Sequence, residues 1–160
     1  MDLKNGSTAL FVKDIEVSKQ FYTDVLGLTI DLDFGKNVIF ENGFAIWEIQ
    51  ENHVIPTQLG LDKISDTSVN RFELYFETEN MSRVFSLLKN SNVRFLHEIH
   101  QESWGQQTVR FFDPDNHLIE IGETMDQFVG RFYDQGLTYE EIFNRTGVPV
   151  EEVKRLTRRH

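Results

Sequence analysis

Cysteine is absent from the 160 residues. That excludes disulfides, thiolate metal sites and a cysteine nucleophile. No apolar run approaches the length of a membrane span. Met1 leads into Asp-Leu-Lys-Asn-Gly with no apolar core behind it, so no secretory leader is read and a cytoplasmic location is expected. Positive charge is scarce: 16 Lys+Arg stand against 26 Asp+Glu, a net charge of -10. An acidic body argues against nonspecific grip on phosphate backbones, and so against nucleic acid as a partner. The acidic excess lies within residues 1–123, whereas residues 124–160 are balanced. No Ser/His/Asp arrangement and no Gly-rich phosphate loop can be read from the spacing.

What is present is an ordinary globular composition, 39% hydrophobic, with 14 Phe that predict an aromatic core. Ala9-Leu10-Phe11-Val12 reads as a strand. A helix follows Asp14, with Val17, Phe21, Val25 and Leu28 near one face and Gly27 as its stop. Strands are expected over Thr29–Phe34, Asn37–Glu41 and Phe44–Gln50, with Asn42-Gly43 as a hairpin signal. Residues 55–70 read as a linker with room for a short turn of helix. The order then recurs: strand Arg71–Thr78, helix Met81–Ser91 and strands Val93–His100, Gln106–Phe112 and His117–Gly122. His97 and His100 are three apart on one strand, so alternation sends them to opposite sides.

Two βαβββ units in tandem indicate a duplicated module. Laid on each other by their apolar residues, Val12 and Asp14 match Phe76 and Thr78. Trp47-Glu48-Ile49 then matches Ile119-Glu120-Ile121, with extra residues around Gln101–Gly105. In this matching Glu48 and Glu120 are counterparts on the last strand of each unit. After Met125 three helices are expected: one carrying Phe128, Phe132 and Tyr133, one capped by Thr138 with Glu141, and one over Val150–Arg158.

Val12-Lys13-Asp14, Ser18-Lys19-Gln20-Phe21-Tyr22, Leu26-Gly27-Leu28 and Asp113-Pro114-Asp115-Asn116-His117-Leu118-Ile119-Glu120 together resemble the vicinal-oxygen-chelate superfamily. That group includes glyoxalase I, bleomycin-resistance proteins, fosfomycin-resistance enzymes and extradiol dioxygenases. The resemblance implies an α+β fold of two βαβββ modules, about 8–54 and 71–123 within a domain over 1–123, whose sheets form a cup. A helical extension over 124–160 follows. It also implies that metal-using members draw ligands from the first and last strand of each module. The last-strand positions fall on Glu48 and Glu120, and the first-strand positions, counted from Val12 and Phe76, fall on Ser7 and Arg71. Ser is a poor ligand and Arg has no lone pair to offer. Two carboxylates suit a hard cation such as Mg²⁺ or Mn²⁺ rather than a tight Zn²⁺ or Ni²⁺ site, and a site without metal stands equally open.

Glu73 shares a strand side with Arg71, so the cup would collect three carboxylates that need a cation, a proton or Arg71 between them. Arg71 is the expected counter-ion, Arg110 a second candidate, and Trp104 a residue that stacks on a ligand or caps the core. Three readings follow. One is a metal-dependent lyase or isomerase of the glyoxalase I type, with Glu48 or Glu120 as base and ligand. Another is a metal-free protein that binds a small molecule, as in antibiotic resistance. The third is a ligand sensor acting through the tail. The Leu137–Val153 segment resembles a helix-turn-helix, but Glu151 and Glu152 stand where base contacts would be made. Packing on the module, or an interface such as a homodimer through Phe128, Phe132 and Phe143, is the expectation for it.

Overall fold

The computed structural model describes residues 8–60 and 73–158. The first module comprises β1 (Thr8–Phe11), α1 (Ile15–Gln20), β2 (Ile30–Asp33), β3 (Asn37–Phe40) and β4 (Phe44–Trp47). A short helix α2 (Val54–Leu59) opens the linker. The second module comprises β5 (Glu73–Thr78), α3 (Met81–Asn90), β6 (Arg94–Gln101), β7 (Gln107–Phe112) and β8 (Leu118–Glu123). The tail helices are α4 (Met125–Asp134), α5 (Tyr139–Thr146) and α6 (Val150–Thr157). The fold is therefore α+β, with two tandem βαβββ modules and a C-terminal helical tail. Each module carries its own four-stranded mixed sheet, in the orders β1-β4-β3-β2 and β5-β8-β7-β6. First and last strands pair in parallel and the others antiparallel.

Two compact units result. One takes in the first module together with Asp113–His117; the other takes in the rest of the second module and the tail. In the first unit, Leu10, Val38, Phe40, Phe44 and Ile46 form the buried side of the sheet. Phe40 and Phe44 stack at 4.9 Å and Tyr22 meets Phe44 edge-on at 5.1 Å. Asp14 caps α1, accepting from the backbone N–H groups of Glu16 and Val17. The buried stripe of this helix is Ile15, Ser18, Phe21 and Tyr22. Val17 is half exposed, because the buried stripe runs through Ile15 and Ser18 and leaves the residues between them turned away, and the helix then widens into a π turn over Phe21–Val25.

The Asp113–His117 turn is fastened to this helix. The Asp113 carboxylate accepts from the Tyr22 hydroxyl at 2.9 Å, from His117 Nδ1 at 2.8 Å and from the N–H groups of Asp115 and His117 at 3.0 and 2.7 Å. The Asp115 carboxylate accepts from Lys13 N–H and Ser18 Oγ. Asn116 takes the left-handed conformation the turn requires, at φ 70. In the second unit Val109, Phe111, Ile119 and Ile121 are buried, with Met81 and Leu88 of α3 also inside. The tail helices share a core of Phe128, Val129, Phe132, Ile142, Val148, Val153 and Leu156, while Phe143 stays exposed. The expected Thr138–Glu141 capping box is present, and left-handed Gly147 ends α5.

Candidate functional site

The second sheet has a polar face, and simple alternation builds it. With Val109, Phe111, Ile119 and Ile121 turned inward, Arg110 and Glu120 turn the other way, directly opposite each other on β7 and β8. On β5, Tyr75 lies beside Glu120, and Glu73 two residues earlier shares that side. On β6, His97 lies opposite Arg110.

Arg110 is the hub. Its Nε donates to Glu73 at 3.0 Å, its Nη1 to Glu102 at 2.7 Å and to His97 Nε2 at 3.3 Å, and its Nη2 pairs with the Glu120 carboxylate. His97 accepts at Nε2, so its Nδ1 carries the proton and donates to the Glu98 carbonyl at 2.7 Å. The strand alternation expected for His97 and His100 does not hold. β6 is irregular between them, and the two rings come within 5.5 Å of each other.

One guanidinium cannot neutralise three carboxylates, and the electrostatics divide accordingly. The hydrogen bond from Arg110 holds the Glu102 carboxyl below its ordinary value. Glu120 is the most deeply buried of the set, with 5% of its side chain exposed. Burial raises its pKa to about 7, against the pull of Arg110 and with repulsion from Glu73 and Glu102 adding to the rise. Glu73 is placed to accept the hydrogen bond of a protonated Glu120.

Glu102–Gln106 forms the rim. Trp104 keeps 40% of its surface exposed and Tyr75 keeps 47%. Trp104 Nε1 donates to Gln106 Oε1 at 3.1 Å, and Gln106 Nε2 donates to the Tyr75 hydroxyl at 3.0 Å and to the Glu123 carbonyl at 2.7 Å. Of the residues expected from the sequence, Glu73, Arg110 and Glu120 are in mutual contact and Trp104 stands at the rim. Ser7 and Arg71 lie outside the described residues, and the cation seen between Glu73 and Glu120 is Arg110. His97, Glu102, Tyr75 and Gln106 were not expected. The insertion at Gln101–Gly105 was the signal for Glu102; nothing in the spacing announced the irregular β6 that sets His97.

Glu48 has a different setting in the first unit. One of its oxygens accepts the Ile15 N–H at 2.8 Å and the other pairs with Lys36. Lys36 first, then this backbone N–H, holds its carboxyl below the ordinary value. The strand registers also correct the internal alignment. Asp14 and Asn80 are the equivalent N-caps, and buried Ile15 and Tyr22 answer to Met81 and Leu88. Val38 pairs with Ile46 as Val109 pairs with Ile121, and Ala9 pairs with Ala45 as Tyr75 pairs with Glu120. The counterpart of Glu120 is therefore Ala45, and that of Glu48 is Glu123. Counted from the caps, the first-strand position of the second module is Glu73 rather than Arg71. Matching by apolar residues slipped because the turn Asp113–His117 is longer than Glu41–Gly43.

This donor set does not fit a divalent ion. Glu73 and Glu120 already share the Arg110 guanidinium. Among the described residues no group of three or more His, Asp or Glu is placed to hold a metal. Among them, too, no helix is long and apolar enough to cross a membrane.

A profile of the glyoxalase-like domain matches residues 6–126. A solved protein of unknown function from Agrobacterium tumefaciens str. C58 is 36% identical, with a TM-score of 0.66 over 78% of this chain and 97% of that one. The uncharacterized protein YraH of Bacillus subtilis (strain 168) is 28% identical over 120 residues, 70% of this chain and 91% of YraH. A lactoylglutathione lyase from Agrobacterium tumefaciens shares the fold at 21% identity and a TM-score of 0.54, over 74% of this chain and 92% of the lyase. A glyoxalase/bleomycin resistance protein/dioxygenase from Nocardioides does so at 19% and 0.60, over 77% and 84%.

Proposed function

Because the chain belongs to the glyoxalase-like domain family, we propose that it binds a small oxygenated molecule on the polar face of its second sheet, without a metal. The observation that carries this reading is Arg110. It stands between Glu73 and Glu120, on the first and last strands of the second module, and pairs with both. A divalent ion would have to break these pairs and then sit against a fixed positive charge. The exposed rings of Tyr75 and Trp104, with the Gln106 amide between them, supply an apolar and hydrogen-bonding border of the kind small-molecule sites use.

A metal-dependent enzyme of the lactoylglutathione lyase type is the second reading, and Glu120 is what favours it. A carboxyl whose pKa lies at about 7 is matched to general-base work at neutral pH.

Calorimetric titration with Mn²⁺, Ni²⁺ and Zn²⁺ separates the two. The expected result is no uptake by the full chain and no lactoylglutathione formed in a turnover assay. Uptake that Glu120→Gln abolishes would replace the first reading by the second. Thermal-shift screening of the metal-free protein with small oxygenated compounds supplies the positive arm. A ligand raises the melting temperature by mass action, and Tyr75→Ala and Trp104→Ala are expected to remove that shift.

A further inference from the structure

The family match ends at residue 126, so α4 to α6 are an addition to the shared fold. They do not merely pack on one another. From α4, Arg131 reaches across to the rim of the polar face. Its Nη2 donates to the Gly105 carbonyl at 2.8 Å and to Glu123 Oε2 at 2.7 Å, and its Nε donates to Glu123 Oε1 at 3.2 Å. Glu123 is buried, and the oxygen that meets Arg131 Nη2 also accepts the Gln107 N–H at 2.8 Å. The next residue of α4, Phe132, lies against Gly105 so closely that a Cβ built there would fall inside the ring's van der Waals envelope. Gly105 has φ +99, a conformation that suits glycine. The tail thus grips the backbone on both sides of Gln106, whose side chain orders Trp104 and Tyr75.

We propose that the C-terminal helices position the Trp104–Gln106 rim of the ligand face, with Arg131 as the positioning residue. The proposal rests on the polar face being the binding site, but its first consequence is an ordered rim in the free protein. A planar guanidinium suits this task because its fork can hold a carboxylate and a carbonyl at once.

Amide exchange read by NMR on the full chain without ligand tests it. The probes are the Gly105 amide, which donates to the Glu102 carbonyl at 2.8 Å, and the Gln107 amide on Glu123. In Arg131→Ala both are expected to exchange about tenfold faster, the scale of one charge-assisted hydrogen bond, while the amides of α5 and α6 keep their wild-type rates. Arg145→Ala is the control. Arg145 lies over the Phe132 ring at 4.5 Å and is expected to leave both probes unchanged. Wild-type exchange at both probes in Arg131→Ala, or equal acceleration in Arg145→Ala, overturns the proposal. Should Arg131→Ala lower the melting temperature of the whole chain, Arg131→Lys replaces it, since Lys keeps a charge for Glu123 but gives up the fork. Faster exchange confined to the rim then supports the proposal, and uniform acceleration overturns it. A chain that failed to bind any ligand would leave this result untouched, so the two readings fail separately.

Discussion

Glu120 is where the cost of this arrangement settles. Glu73, Glu102 and Glu120 converge on one guanidinium, and the most buried of the three is the one whose charge is hardest to keep. Its folded pKa of about 7 lies above the ordinary 4.5, so the folded state holds this proton more tightly than the unfolded chain does. The stability contributed by the protonated group is fully present below about pH 4.5 and is lost as the pH rises through about 7. Glu120→Gln keeps the shape and removes the titration. Urea unfolding of both proteins across that range should show wild type losing stability relative to Glu120→Gln between the two values and holding a constant difference above them. A difference that does not change with pH would mean that Glu120 stays ionised beside Arg110, which would count against its use as a base near neutrality.

The turn between β7 and β8 shows how an element can be recognised for one reason and matter for another. Asp113-Pro114-Asp115-Asn116-His117 marks the fold, and its carboxylates are committed to holding the turn against α1. Tyr22 is fully buried and its hydroxyl donates to Asp113, whose side chain is equally buried. A hydrogen bond to a buried charge is worth about 1.5–3 kcal/mol, and three other donors remain on Asp113, so Tyr22→Phe should cost roughly the lower end of that range. A lower urea midpoint at unchanged denaturant slope would show it; a midpoint equal to wild type would mean that the hydroxyl does not hold the turn. The order of elements was legible in the sequence because alternation, caps and turn residues agreed, as at Asp14, Asn116 and the Thr138–Glu141 box. Register was not legible. The π turn after Gln20 and the irregularity in β6 carry no composition signal, and the residues that mark the β7–β8 turn do not announce how much longer it is than the β3–β4 turn. Those insertions moved Glu48 out of equivalence with Glu120 and brought His97 to Arg110. Carboxylates could be found from the sequence, but which of them share a face depended on pairings that only the folded strands define.

At the scale of the molecule the tail is the part the family does not account for. Glu151 and Glu152 at the start of α6 pair with Lys154 and Arg155 of the same helix, so these charges are matched within α6 itself. What the three helices do build is a core of their own, drawn entirely from Phe128 to Leu156. A core local to the tail can open without opening the β7–β8 ladder, since the sheet buries Val109, Phe111, Ile119 and Ile121 separately. Ile142 is fully buried at its centre. Ile142→Ala should remove about 2–5 kcal/mol from the tail, the usual loss when a large aliphatic side chain leaves a cavity. In native-state exchange the amides of α4, α5 and α6 should then speed up together, and those of Gly105 and Gln107 should follow them because their anchor, Arg131, lies on α4. Val109 and Ile121, paired in the sheet, should keep their protection. If the sheet amides accelerate equally with the tail, the tail and module form one cooperative unit, and the helices are a structural cap rather than a separable element that sets the rim of the site.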